Sequence, residues 1–507
     1  MKEDFLNRAK RDSRFSPKVR FLSKLDDGQL KAVTSTNSRI LCLAGAGSGK
    51  TRVLTTRIFY LIQKFKIRPE NILAITFTKA AAREMLLRLN SLGTDTKNLW
   101  CRTFHSACYR ILREVSNKKK ISQNFKVADQ SVQDKIMKQC IADLQKNRDF
   151  AYNLNSFIEE NNWTLDLFFE ETYRLIKECK SRFISLDDLV EKTKKIRDDE
   201  AREFLRLVYL IFKSYQERLK KLNIFDFSDL MNRVIFLLEN NKSVSDHYQK
   251  RFEFILVDEF QDVNLSQVRL LELLSNTRNN LFVVGDDWQS IYGFRGGDVH
   301  QILDFKKVYP GCESIILPYN YRSDGNIVNA ALRVIKNNSR QMRKKIKAFH
   351  PANEKINIVR AEDKARGDSF VTDTIKKLVL KGIKQKDIMI LGRTWRVIDV
   401  FLKNLPKLGL KEVRITTVHG AKGQEAKIVF IVGLYKGRGG FPHIKDDYEI
   451  MKEIREINRD ERLEEERRVF YVAMTRAKER LFLITEKDNQ SMFVREVSRR
   501  YVREINC

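Results

Sequence analysis

No two cysteines in this chain form a CxxC pair. The seven present (Cys42, Cys101, Cys108, Cys140, Cys179, Cys312 and Cys507) are scattered without zinc or iron–sulfur spacing. An odd, scattered set of this kind fits reduced, mostly buried thiols in a reducing compartment. Proline is as scarce, with 7 in 507 residues, and 42% of the chain is hydrophobic, so a folded, helix-rich α/β protein is expected rather than a disordered one. No apolar run approaches the length of a membrane span. The opening stretch MKEDFLNRAKRDSRFSPKVR has no apolar core of the kind a secretory signal needs. Glu3, Asp4 and Asp12 count against an organellar presequence, although the basic character of the segment leaves organellar import open. A cytoplasmic protein, nucleoid-associated in a prokaryote, is expected. Internal repeats and low-complexity tracts are also missing.

Acidic residues are in deficit: 66 Asp and Glu stand against 96 Lys and Arg, a net charge of +30. Basic surface gains binding free energy by releasing the counterions condensed on a polyanion, so polyphosphate or nucleic acid is the expected partner class.

What is present is an alternating pattern. RILCLAG, NILAITFT and WCRTFHS read as strands, separated by the helical runs KTRVLTTRIFYLIQKF and KAAAREMLLRLNSL. Such alternation predicts a parallel sheet covered on both faces. Helical pattern alone follows from about Tyr109 to Leu222, where Leu207, Leu210, Ile211, Tyr215, Leu219 and Leu222 share one expected face. FEFILVDEF and NLFVVGDD should rejoin the first sheet. A second α/β lobe is expected from ESIILPYN, KINIVRA, DIMILGRT, VRITTVHG, AKIVFIVGL and RLFLITE, with a loop over 437–450. The expected domains are therefore a first lobe of residues 1–108 and 223–314, a helical insertion 109–222, and a second lobe 315–507.

The chemistry begins at LAGAGSGKTRVL, in which Ala44, Gly45, Ala46, Gly47, Ser48, Gly49, Lys50 and Thr51 lie between a strand and a helix. That is the context of a P-loop, whose backbone N–H groups cradle phosphates at a helix N-terminus. Lys50 would reach the β- and γ-phosphates and Thr51 would ligate Mg²⁺. FILVDEFQD supplies the acidic partner: Asp258 for Mg²⁺ and Glu259 to polarise the attacking water. ATP and Mg²⁺ are the expected cofactors.

With these residues in place, the chain resembles superfamily 1 DNA helicases of the UvrD/Rep type. Its motifs run in that family's order: LDDGQLKAV, AGAGSGKTR, TFTKAAAREM, TFHS, VDEFQD, VGDDWQSIYGFRGGD, NYRS, TTVHGAKGQE and EEERRVFYVAMTRAKERL. Within the family, DEFQD, GDDWQ, TVHGAKG and GLYKGRGGFP are most similar to helicase IV. The resemblance implies two RecA-like lobes with an all-helical insertion in the first and no large insertion in the second.

It also implies roles. Gln29 reads adenine, Tyr321 stacks on it and Arg52 contacts the nucleotide. Arg322 and Arg476 reach the γ-phosphate, Gln289 senses it, and Glu425 contacts the ribose or a phosphate-linked water. Phe77, Thr78, His105, Tyr292, Phe294, Arg295, Arg393 and Trp395 fall along the family's single-strand track, although Phe294 and Trp395 replace residues common there. The implied activity is ATP-dependent translocation on single-stranded DNA and 3′ to 5′ unwinding, acting on single/double-strand junctions in repair, recombination or genome defence, with protein partners from those processes. The alternatives are an ATP-regulated nucleic-acid scaffold and an RNA-directed motor; the intact hydrolytic set argues against the scaffold.

Overall fold

The computed structural model describes residues 22–119, 125–275, 280–293, 296–437, 439–443 and 459–507. The short aliphatic runs become strands because they are buried on both faces, as parallel strands under helices must be. In chain order the first eight are β1 (Arg39–Leu43), β2 (Ile72–Thr76), β3 (Trp100–Thr103), β4 (Lys126–Val127), β5 (Ile224–Phe225), β6 (Phe254–Val257), β7 (Asn280–Gly285) and β8 (Glu313–Ile316). Six of them form one parallel sheet in the order β3-β2-β6-β7-β1-β8, while β4 and β5 pair apart from it.

The remaining strands are β9 (Tyr319–Asn320), β10 (Lys347–Ala348), β11 (Ile356–Ala361), β12 (Ile388–Gly392), β13 (Arg414–Thr417), β14 (Ala426–Ile431), β15 (Ala477–Glu486) and β16 (Val502–Asn506). A second six-stranded parallel sheet runs β13-β12-β14-β15-β11-β16, and β9 pairs with β10. The two helix-flanked parallel sheets are the architecture of two RecA-like lobes.

Two expected boundaries fall inside elements. ESIILPYN does not open the second lobe: Glu313–Ile316 pairs in register with Ile40–Leu43, and Ile315 and Leu317 join the core beneath β1. The helix Phe104–Lys119 crosses the 108/109 division, and its Ala107, Cys108 and Ile111 pack with Trp100 and Leu230 of the first lobe. The helical insertion has its own core, in which Ile136, Phe157, Phe168, Phe204, Ile211 and Tyr215 meet.

The helix Asp199–Leu222 buries Leu207, Ile211, Tyr215 and Leu219 as expected, but Leu210 and Leu222 are 41% and 49% exposed. Leu210 lies about 100° around the helix from Ile211, while Leu222 is on the buried face but is the last helical residue. The expected loop at 437–450 lies largely outside the described residues.

The lobes pack against each other directly. Ala46 of the P-loop with Trp288 and Ile291 of the coupling segment joins Ile327, Val334, Ile346, Leu391 and Val429 in one buried cluster. This contact positions the site.

Candidate nucleotide cleft and nucleic-acid track

β1 ends at Leu43, and the chain turns through Ala44–Gly49 into the helix Lys50–Lys64. Gly47 and Gly49 hold φ of 66° and 84°, which a residue with Cβ adopts only under strain. A Cβ on Gly47 would also lie 2.7 Å from Cβ of Arg322, so glycine lets the second lobe come up to the loop. Tyr321 N–H donates to the Gly47 carbonyl at 2.9 Å. Ser48 Oγ donates to the Gly45 carbonyl at 2.9 Å, and Gly49 makes no side-chain cap. The first N–H groups of the helix therefore remain for an anion.

Gln29 is buried beside this loop. Its Nε2 donates to the Ser48 carbonyl at 3.0 Å, and its Oε1 has no partner among the described residues. Asp26, which caps the helix Asp27–Thr34, accepts from Tyr321 Oη at 2.6 Å, tying the aromatic ring to the first lobe. Arg52 is exposed and donates to the Lys24 carbonyl at 2.9 Å.

At the end of β6 the carboxylates stand in series. Thr51 Oγ1 lies 3.5 Å from Asp258 Oδ2. Burial, with the charge of Glu259 adding to it, raises the pKa of the Asp258 carboxyl. Glu259 is left-handed, with φ 51°, strain of the kind concentrated at functional sites. Burial would raise its pKa too, but Lys50, Lys422, the hydrogen bond from Gln261 and Arg476 together outweigh burial and hold it below the usual carboxylate range. Its Oε2 accepts from Gln261 Nε2 at 2.6 Å, while Gln261 Oε1 accepts from Asp286 N–H at 2.9 Å. The hydrolysis motif is thus wired to the coupling segment.

The second lobe supplies the arginines. Arg322 Nε donates to Glu425 Oε2 at 2.5 Å and its Nη1 to the Thr475 carbonyl at 3.2 Å. Glu425 also pairs with Lys478 at 2.6 Å, so two cations occupy the side chain expected at the ribose. Arg476 is fully buried, donating to the carbonyls of Val472 and Gln424 and, at 3.3 Å, to Gln289 Oε1. Burial and the nearby Arg322 lower its pKa to about 9, which leaves it charged at neutral pH.

Lys422, Asp262 and Gln261 were not singled out from the sequence. Lys422 pairs with buried Asp262, donates to the Gln289 carbonyl at 3.0 Å and lies 4.6 Å from the centroid of Tyr292. The motifs containing them were legible; the contact between lobes was not.

Several of the expected track residues are engaged within the protein. Phe77 stacks on Tyr292 with centroids 5.1 Å apart and planes 12° apart, and Tyr292 is buried. Base stacking on Tyr292, as expected from the motif, would require these rings to part. Thr78 caps the helix Lys79–Ser91 through Ala81 N–H. His105 packs against Phe227 at 5.1 Å, and burial lowers its pKa. Arg393 does not present a free guanidinium: it forks onto Glu466, with Nε donating to Oε1 and Oε2 at 3.0 Å and Nη2 to Oε1 at 2.6 Å. Trp395 is 57% exposed at the start of the helix Trp395–Asn404. Phe294 and Arg295 lie outside the described residues.

Comparison with known proteins matches two family models to successive parts of the chain. The model of the UvrD/REP helicase N-terminal domain matches residues 25–310, and that of the UvrD-like helicase C-terminal domain matches residues 315–411 and 409–488. The ATP-dependent DNA helicase PcrA of Staphylococcus aureus is 38% identical over 374 residues, covering 74% of this chain and 48% of that protein. The PcrA of Staphylococcus epidermidis is 37% identical over 375 residues with the same coverage. The chain spans about half the length of the curated relatives it matches. One matched region carries the P-loop and carboxylates, the other carries the arginines that meet them, and on that match the chain belongs to the UvrD/REP helicase family.

Proposed function

We propose that this chain is an ATP-driven motor that walks along single-stranded DNA, with 3′ to 5′ polarity and strand separation at single/double-strand junctions, in repair, recombination or genome defence. One observation carries the reading. Arg322 and Arg476 come from the second lobe and stand against Gly47, Gln289 and the field of Glu259 in the first.

In this reading Lys50 and the loop N–H groups hold the β- and γ-phosphates, Gln29 Oε1 accepts from the adenine amino group, and Tyr321 and Arg52 flank the base. Thr51 and Asp258 offer the hard oxygen donors that suit Mg²⁺, which when bound would neutralise charge on the phosphates. A water oxygen attacks the γ-phosphorus, its proton passes to the Glu259 carboxylate, and the bond to the β–γ bridging oxygen breaks to release ADP. Arg322 and Arg476 stabilise charge spreading over the transferring group only while the lobes are together. Cleavage thereby weakens the closed state, and opening and closing shift which groups grip the strand.

The test is ATP turnover by purified protein with single-stranded DNA or RNA of equal length. Stimulation by DNA, abolished in Lys50→Ala and Glu259→Gln while both still bind DNA, is the expected result. Wild-type turnover in Glu259→Gln overturns the assignment of the base, and stimulation by RNA alone replaces DNA as the track.

A further inference from the structure

Lys344 belongs to none of the motifs, yet its side chain is completely buried. Its ammonium pairs with Asp286 and, at 2.6 Å, with Asp287 Oδ1, and lies 4.1 Å from the centroid of Trp288. It comes from the second lobe, in the segment that follows the helix Gly325–Ile335. The same segment holds the coupling turn at two further points: Gln341 Oε1 accepts from Trp288 Nε1 at 2.7 Å, and Met342 N–H donates to Asp287 Oδ2 at 2.9 Å.

The decisive contact is a shared carboxylate. Asp286 Oδ1 receives Lys344, and Asp286 Oδ2 accepts from Gln289 Nε2 at 2.6 Å. Gln289 Oε1 then accepts from Arg476. Gln289 has one amide, and both of its ends are fixed, one through Asp286 and one by the arginine. Burial opposes the charge on Lys344, but Asp286 and Asp287 outweigh it and raise its pKa, so the ammonium stays protonated. A buried ion cluster of this kind is poor value as stability compared with apolar packing. Its placement on the carboxylate that orients Gln289 gives it another use.

We propose that Lys344 is the positioning residue that holds Gln289 against Arg476, so that the second lobe sets the hydrolytic geometry through Asp286. This rests on the ATPase reading above. Lys344→Met should lower kcat for ATP by about tenfold or more with KM within about threefold, because it misplaces a group that acts in the transition state. In a Gln289→Ala background the same substitution should cost nothing further, whereas a merely structural role would slow both backgrounds equally.

Amide hydrogen exchange over residues 286–291 is measured on the same samples and needs no turnover. It should quicken about tenfold or more in Lys344→Met. Should that variant fail to fold, Lys344→Met combined with Asp287→Asn keeps the buried charge balanced and is put through the same cycle; failure of both to fold makes the role structural and overturns the proposal. Unchanged exchange, or equal slowing in both backgrounds, also overturns it. A wild type that exchanges normally but shows no turnover sinks the motor reading, while the exchange comparison still decides the role of Lys344.

Discussion

The nucleotide cleft and the nucleic-acid track are built from neighbouring segments, but they stand in different states of readiness. In the cleft, groups from both lobes converge on the P-loop and leave binding capacity over: Gln29 Oε1 has no partner among the described residues, and the helix Lys50–Lys64 lacks a side-chain cap. Along the track Phe77 lies on Tyr292, His105 on Phe227 and Arg393 on Glu466, while Trp395 is exposed. A nucleotide finds the loop N–H groups and Gln29 Oε1 open to it. A strand can use Tyr292 or Arg393 only by breaking theirs, so the energy of those self-contacts is subtracted from DNA affinity. The turn from Asp286 to Tyr292 belongs to both regions, because Gln289 faces Arg476 and Tyr292 faces Phe77. A change at one end therefore bears on the other.

The largest test of this contrast lies in the cleft. Arg476→Ala should lower DNA-stimulated ATP turnover by about 10³-fold, the scale of a lost arginine at a transferring phosphoryl group. DNA binding, measured by anisotropy, should persist, since the guanidinium is buried and donates to Val472, Gln424 and Gln289 rather than to a track side chain. Turnover within tenfold of wild type would show that the cleft is not the assembled half of the pair.

How far these regions were legible in advance follows the same division. The P-loop, Asp258 and Glu259 could be read because phosphate chemistry fixes residue types at short spacing, next to a strand whose apolar run is itself legible. Glu313–Ile316 was assigned to the wrong sheet because an apolar run carries no mark of its partner; only pairing with β1 decides it. Leu210 was assigned to the buried face because a stripe of leucines does not state where its centre lies. Lys422 and Lys344 look like solvent-facing lysines until the opposite lobe brings Asp262, Asp286 and Asp287 to them. The partner of Arg393 is illegible for the same reason: its motif implies a contact with DNA, and Glu466 arrives from a helix far along the chain. Local chemistry was readable, whereas pairing across lobes was not.

A medium-sized effect should separate stability from binding at that residue. Arg393→Ala leaves the buried Glu466 carboxylate without its guanidinium, which should destabilise the chain by about 3–5 kcal/mol. Urea unfolding of the whole chain checks it. An Arg393 acting mainly on DNA would instead leave the midpoint unchanged and weaken binding, most strongly at low salt.

The smallest effect probes the stacked rings. Phe77→Ala should weaken single-stranded DNA binding by about 1–3 kcal/mol, the worth of one base–aromatic contact. The same variant also strips Tyr292 of its covering ring, which frees that ring for a base and gives back part of the loss. Phe77→Ala and Tyr292→Ala should therefore be non-additive, with the double variant binding more weakly than the sum of the two single losses. If the two losses add within about 0.5 kcal/mol, the rings contact DNA independently and their stacking on each other is incidental. A double loss smaller than the sum would mean instead that the stacked pair binds as one platform, and that DNA does not part the rings.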